Sequence, residues 1–325
     1  MKQKLRVIIL GAGGIGCYYG VRLLSNGHDV TFIARGEHLD AINKNGLRLT
    51  HPACNFSGSI TAMNFEQLKR KEKPGNFDFV FLTTKATSTQ NIASELGRWF
   101  IETQQSVAVI SLQNGVENEQ ILCEHMDKSR VFGGLAIKIG GHITEPGIVE
   151  AKGVAEIKMG VWPNELESGT QHKTKLESWS KAMNDAQIPT EIVKDIRHEQ
   201  WAKLAINHGV NPLSVLTGLD TKKLSHDPLL GSIVHHLMQE TAIVAEVDGV
   251  NLTDEDINRM YQVIRDFEAI KTSMLVDWEK GQKLEVDAIP GVIINRARKG
   301  NIEVPYTQTI FALLQQKISE RSHTS

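Results

Sequence analysis

Residues 7–20, VIILGAGGIGCYYG, decide how the first half of this chain folds. Val7, Ile8, Ile9 and Leu10 form a short apolar run, mostly β-branched, of the kind that makes a buried strand. After the glycines, CYYGVRLLSNG has helical spacing and ends at a glycine stop. Between the two, Gly11, Gly13 and Gly16 fill the glycine places of G-x-G-x-x-G: a tight turn, a close backbone approach, and a helix packed hard on its strand. The amides that open such a helix have no carbonyl partner within it and sit at its positive end. The turn Gly11, Ala12, Gly13, Gly14, Ile15, Gly16 is therefore a candidate cradle for the pyrophosphate of a dinucleotide.

Working outward, the next strand-like run, HDVTFIAR, ends on Ala34 and Arg35. An NAD-binding unit usually ends this strand on an acid that takes the ribose hydroxyls, whereas a guanidinium suits a 2′-phosphate. The pattern predicts NADP(H), with Arg35 reading the phosphate. Two further strand-like runs follow, FDFVFLTTKA leading into Lys85 and SVAVISLQNGVEN leading into Gln113, Asn114 and Gly115. Alternating strands and helices imply a parallel doubly wound sheet, whose ligands gather outside the carboxyl ends of the strands. Lys85 and Asn114 stand at two such ends. Lys85 is a candidate second cation for the adenosine phosphate; Asn114 is a candidate partner for the nicotinamide ribose or the substrate. Residues 133–160, rich in glycine and β-branched residues, read as antiparallel hairpin strands completing the sheet.

At 325 residues the chain is long for a single core, and its character changes past Asp195. Amphipathic helical patterns take over at 198–210, 227–246, 254–270 and from Thr307 onward. The expected architecture is α/β: a Rossmann-type dinucleotide-binding domain over 1–194, followed by an all-helical domain over 195–325. Within the helical part, WAKLAINHGVNPLSVLTG places Lys203, Asn207 and Asn211 at i, i+4 and i+8, one cation and two amides along one helix face. Apolar neighbours on the adjacent faces turn that stripe inward, where each polar group needs a partner that a bound substrate can supply. A second polar stretch, KTSMLVDWEKGQKLEVDAIPG, sets Ser273 and Glu285 on either side of the KGQK break.

Composition narrows the partners. A formal net charge of −2 with 23% charged residues gives no electrostatic case for nucleic acid, so a small molecule is the expected partner. Cys17, Cys54 and Cys123 are scattered without C-x-x-C spacing. His235 and His236, being adjacent, face different sides of a helix, and no Cys/His cluster accompanies them, so no metal is expected. The opening apolar run breaks at Gly11, too short for a signal peptide or membrane span, and a cytoplasmic, membrane-free protein is expected. A homodimer is left open.

Several motifs in a fixed order carry a resemblance across nearly the whole chain: GAGGIG, IARGEHL, TTKA, LQNGVEN, EPGIVEAKG, KLAINHGVNPL, TSMLVDWEKGQKLEVDAIPG and GNIEVPYTQTIF. In these the chain resembles the ketopantoate reductase (2-dehydropantoate 2-reductase) family, NADPH-dependent enzymes of pantothenate biosynthesis that reduce ketopantoate to pantoate. The resemblance implies that Lys203 is the catalytic proton donor to the keto oxygen, and that Glu285 organises lysine, cofactor and substrate. It further implies that Asn207 and Asn211 bind the substrate's hydroxyl side, Ser273 its carboxylate, and Arg35, Lys85 and Asn114 the cofactor. Three positions depart from the family pattern: Thr221 stands near a turn asparagine, and Ile270 and Pro290 replace two others. A different small 2-oxo acid is thus the alternative substrate. A sensor that had lost its chemistry would have no need of Lys203 beside two asparagines.

Overall fold

The computed structural model describes residues 4–165, 172–266 and 269–324, with side chains as far as Arg321. Two compact units emerge, Met1–Gln113 with Glu117–Ile196, and Asn114–Val116 with Arg197–Ser325.

The first unit starts with β1 (Arg6–Leu10), α1 (Gly14–Ser25), β2 (Asp29–Ile33) and α2 (Gly36–Asn45). It continues through β3 (Leu47–Thr50), β4 (Phe56–Gly58), β5 (Thr61–Met63), α3 (Phe65–Lys71), β6 (Phe79–Leu82), α4 (Thr89–Thr103), β7 (Ala108–Ser111) and α5 (Asn118–His125). The long hairpin β8 (Val131–Glu145) and β9 (Ile148–Val161), then α6 (Lys173–Asp185) and β10 (Thr190–Ile192), complete it. The described strands form one sheet in the order β4-β3-β9-β8-β7-β6-β1-β2-β5, with β10 on β9. From β8 to β5 neighbouring strands are parallel, and β8 and β9 form the antiparallel hairpin that the glycine-rich stretch predicts. The winding reverses at β1, so the carboxyl ends of β1 and β6 flank the crevice where such sheets hold ligands.

Period-two alternation supplies both faces of this sheet. Val7, Ile9, Phe79, Phe81 and Ile110 join one core with Tyr18 and Leu23 of α1 and Trp179 and Met183 of α6. Their neighbours Ile8, Leu10, Val80, Leu82 and Val109 join the opposite core under Leu96 and Trp99 of α4 and Leu122 of α5. Each large side chain so buried contributes roughly 1.5–3 kcal/mol, and a one-residue slip would exchange every one of them between faces.

The second unit is built of helices: α7 (Ile196–Thr217), whose first residue belongs to the first unit, α8 (Thr221–His226), α9 (Pro228–Ala245), α10 (Asp254–Asp266), α11 (Ser273–Glu279), α12 (Val292–Gly300) and α13 (Pro305–Thr324). Trp201, Leu204, Val234, Leu237, Met238, Ile293 and Leu314 share its core. The start of α9 follows from its cap: the Asp227 carboxylate accepts the N–H groups of Leu229 and Leu230, both at 2.9 Å, and Pro228 occupies the first turn.

Two helical spans differ from the sequence pattern. The helix expected over 198–210 runs on to Thr217 with Pro212 inside it. The pattern over 254–270 gives a helix only to Asp266; 267–268 lie outside the described residues, and Ile270 is not helical. Its backbone is taken by Thr221 instead. The Thr221 N–H donates to the Ile270 carbonyl at 3.0 Å, and the Ile270 N–H donates to Thr221 Oγ1 at 3.5 Å. No described helix is long and apolar enough to cross a membrane.

Candidate active site

In the first unit, three of the six amides of the glycine turn are taken up by the fold itself. The N–H groups of Gly11 and Ala12 both donate to the Ile33 carbonyl, at 3.2 and 2.9 Å, and the Gly13 N–H donates to the Gly11 carbonyl at 2.8 Å. The amides of Gly14, Ile15 and Gly16, in the first turn of α1, have no helical carbonyl to bond and remain for an anion. Gly11 has φ +116°, a left-handed conformation that favours glycine. A Cβ on Gly16 would stand 2.2 Å from the Gly11 carbonyl oxygen, whereas one on Gly13 would meet nothing within 4 Å. The three glycines thus divide into turn, open approach and close packing. Ala12 spends its N–H on the Ile33 carbonyl at the end of β2, so it shapes the cradle without donating to a ligand.

Gly14 has a second duty that the sequence does not announce. A Cβ there would lie 2.0 Å from the carbonyl carbon of Gly141, because β8 passes directly over the start of α1.

Arg35 is exposed at the N-cap of α2, just past β2, and Lys85 is exposed at the end of the loop after β6. Beside that loop lies a buried polar network that pattern reading missed. Gln113 Nε2 lies 3.0 Å from the Thr84 carbonyl and 2.9 Å from Thr89 Oγ1, and the Thr89 hydroxyl donates to Asn118 Oδ1 at 2.8 Å. It fixes the loop bearing Lys85. A glutamine at a strand end carries no periodic signal, so only its burial reveals it.

The second unit brings three of the candidates together. Asn114 Nδ2 donates to Glu285 Oε2 at 3.2 Å, and the Glu285 carboxylate acts on the Lys203 ammonium. Burial pushes Lys203 down to about 8, while Glu285 pulls it back up. The ammonium is therefore the main form at pH 7 yet gives up its proton far more readily than an ordinary lysine. Asn207 and Asn211 continue the stripe along α7, Asn207 half-buried and Asn211 only 2% exposed. Asn211 Nδ2 has no hydrogen-bond partner among the described residues, and an orphaned buried donor costs about 1–3 kcal/mol unless a ligand accepts from it. Ser273 opens α11 and is exposed. Pro290 is buried within the π-helical turn Asp287–Gly291 that follows Glu285. No group of three or more potential metal ligands occurs among the described residues.

Two family models match the chain, ketopantoate reductase PanE/ApbA over residues 7–164 and its C-terminal counterpart over residues 195–318. A 2-dehydropantoate 2-reductase of Pyrococcus horikoshii is 30% identical over 322 residues, covering 97% of this chain and 98% of that protein. The crystal structure of a PanE/ApbA family ketopantoate reductase from Ralstonia eutropha JMP134 is 28% identical, with a TM-score of 0.85 over 98% of this chain and 100% of that one. D-mandelate dehydrogenase, solved with NADH and anilino(oxo)acetate, is 20% identical with a TM-score of 0.86 over 97% and 99% of the two chains, a likeness of fold alone. An α/β sheet unit followed by a helical unit is the plan that the two family models cover, that of a family of reductases. The chain belongs to the ketopantoate reductase PanE/ApbA family.

Proposed function

We propose that the protein reduces a small 2-oxo acid with hydride from NADPH, the reaction being ketopantoate to pantoate. The observation that supports this most is the cluster in the second unit: a lysine whose proton is loosened, a carboxylate that keeps it cationic, and a buried amide with a donor to spare. The nicotinamide cofactor, when bound, supplies the hydride. As negative charge grows on the keto oxygen, the Lys203 ammonium meets it and releases a proton from Nζ. Glu285 holds Lys203 in its charged form, and Asn114 holds Glu285 in place. Asn207 and Asn211 are assigned to the substrate's hydroxyl side and Ser273 to its carboxylate.

Residues of the first unit fit the dinucleotide. Gly14, Ile15 and Gly16 offer amides to the pyrophosphate, the space beside Gly13 admits it, and Arg35 and Lys85 offer cations to the 2′-phosphate. Arg35→Ala is expected to weaken NADPH by ~1–3 kcal/mol through loss of a charge-assisted contact and to leave NADH nearly unchanged. Titration with both cofactors checks this; equal weakening would remove Arg35 as the reader of the phosphate.

The loosened proton of Lys203 gives a pH signature. Below about 8 the lysine carries the proton it must donate, and above about 8 it loses it, so kcat/KM should fall on the basic side with a midpoint near that pH. An ordinary lysine would hold the rate to above pH ~10. Rates measured from pH 6 to 10 with saturating NADPH would decide between the two.

Another 2-oxo acid is the second reading. The Thr221 hydroxyl is engaged by the backbone of Ile270, and neither residue supplies the amide that the family pattern has there, which supports a different acid. The solved D-mandelate dehydrogenase with anilino(oxo)acetate supports such a variation on this fold. NADPH oxidation with ketopantoate, set beside a panel of branched and aromatic 2-oxo acids, tests both. A rate selective for ketopantoate upholds the first reading; a selective rate with another acid replaces it.

A further inference from the structure

Between Asn207 and Asn211 of α7 lie His208 and Gly209, to which the reaction gives no task. The helical ladder is one bond short at this turn, because Pro212 lacks the N–H that would bond the carbonyl of His208. It is also held from the side. Gly209 lets α7 lie close on α9, where a Cβ would stand 2.9 Å from Met238 Cγ and 3.2 Å from Val234 Cγ1. His208 is fully buried, with Nδ1 2.8 Å from Thr241 Oγ1 of α9 and Nε2 3.4 Å from Thr307 Oγ1 of α13.

Both ends of this bridge are anchored. The Thr307 hydroxyl donates to Glu240 Oε2 at 2.6 Å, and the same carboxylate accepts the N–H groups of Tyr306 and Thr307 at 2.9 and 2.7 Å, in the opening turn of α13. Burial pushes His208 down to about 4, with the Leu237 carbonyl pulling the other way, so the ring is neutral at pH 7 and has one donor and one acceptor. The proton of Thr307 goes to the carboxylate and that of Thr241 to the Leu237 carbonyl at 2.9 Å, so each hydroxyl oxygen presents a lone pair to the ring, which donates to one of them.

We infer that His208 is a positioning residue that sets the rotation of α7 about its axis, and with it the aim of Lys203, Asn207 and Asn211. The inference rests on those three acting on the substrate as proposed above. A turn of about 10° moves a group ~6 Å from the helix axis by ~1 Å, and a displacement of that size costs up to ~10²-fold in rate.

His208→Leu and Thr241→Val test it, each measured for kcat, KM, NADPH affinity and circular dichroism. The leucine leaves both hydroxyls an acceptor, Leu237 O at 2.9 Å for Thr241 and Glu240 for Thr307, and valine matches threonine in shape. In at least the variant that folds, KM for the oxo acid is expected to rise about tenfold or more and kcat to fall, with NADPH affinity and dichroism unchanged. An unchanged KM, with kcat falling only in proportion to the folded fraction, would mean mere packing and overturn the inference. Lys203→Ala, run alongside, separates the two levels: if it too keeps full turnover, the reading of the site has failed along with the positioning role.

Discussion

Replacing Lys203 by Ala is expected to lower turnover of the oxo acid by ~10³-fold while leaving NADPH affinity within about twofold of the parent. The size follows from two losses at one atom. A positioned general acid is worth roughly 10²–10⁴-fold, and a preorganised donor facing a developing oxyanion roughly 10²–10³-fold; they share one ammonium, so the factors do not multiply. Most of the cofactor groups proposed here lie in the first unit, at residues 11–16, Arg35 and Lys85, with Asn114 in the second, so NADPH affinity should survive the substitution, and circular dichroism checks that the variant is folded. Kinetics by NADPH absorbance and affinity by fluorescence titration give both numbers. Turnover within tenfold of the parent would take Lys203 out of the mechanism.

The glycine turn provides the other large effect. Gly16→Ala puts a methyl group 2.2 Å from the Gly11 carbonyl oxygen and 2.6 Å from Thr83 Oγ1. That oxygen has little freedom to yield, since it accepts from the Gly13 N–H and from the Thr83 hydroxyl, both at 2.8 Å. The start of α1 must lift from β1, at a cost of ~3 kcal/mol and a Tm lower by roughly 6–12 °C. NADPH binding should be lost with it. Gly13→Ala is the informative partner, because its Cβ meets nothing within 4 Å and φ there is −84°, which alanine adopts freely. It should keep the parent Tm yet bind NADPH at least ~10-fold more weakly, as the methyl group occupies the approach of the pyrophosphate. Parent affinity in Gly13→Ala would show that no phosphate comes there.

The sequence made the parallel core and the helical half legible because both rest on periodicity. Val7 to Leu10 alternate between two cores, and Lys203, Asn207 and Asn211 recur every fourth residue, so each could be placed from spacing alone. What escaped notice depends on contacts without a period. Gln113, His208 and Glu240 are polar residues whose burial is set by distant neighbours, and nothing in their flanks distinguishes them from surface glutamine, histidine or glutamate. Ile270 completes an apolar spacing, yet its backbone is bonded to Thr221, 49 positions earlier, so the helix pattern there was overruled by a tertiary contact. Gly14 belongs to the quoted turn, but its packing partner Gly141 is more than a hundred residues away. The pairing of Lys203 with Glu285 and Asn114 likewise needed coordinates, since only the resemblance suggested it.

The pairing of β3 with β9 sets an order on how the sheet can be completed as the chain is made. Strands β1, β2, β5, β6 and β7 all lie before residue 112 and can pair with one another as they leave the ribosome. Arg48, Leu49 and Thr50, however, pair with Ile148, Val149 and Glu150, and at bacterial-to-eukaryotic elongation rates the intervening stretch takes roughly 5–20 s to synthesise. For that interval Leu47 and Leu49 belong to a two-stranded flap of β3 and β4 with an unsatisfied edge and no sheet to join. Nascent chains halted between β4 and β9 should therefore be the species most dependent on chaperones, whatever the stability of the finished protein.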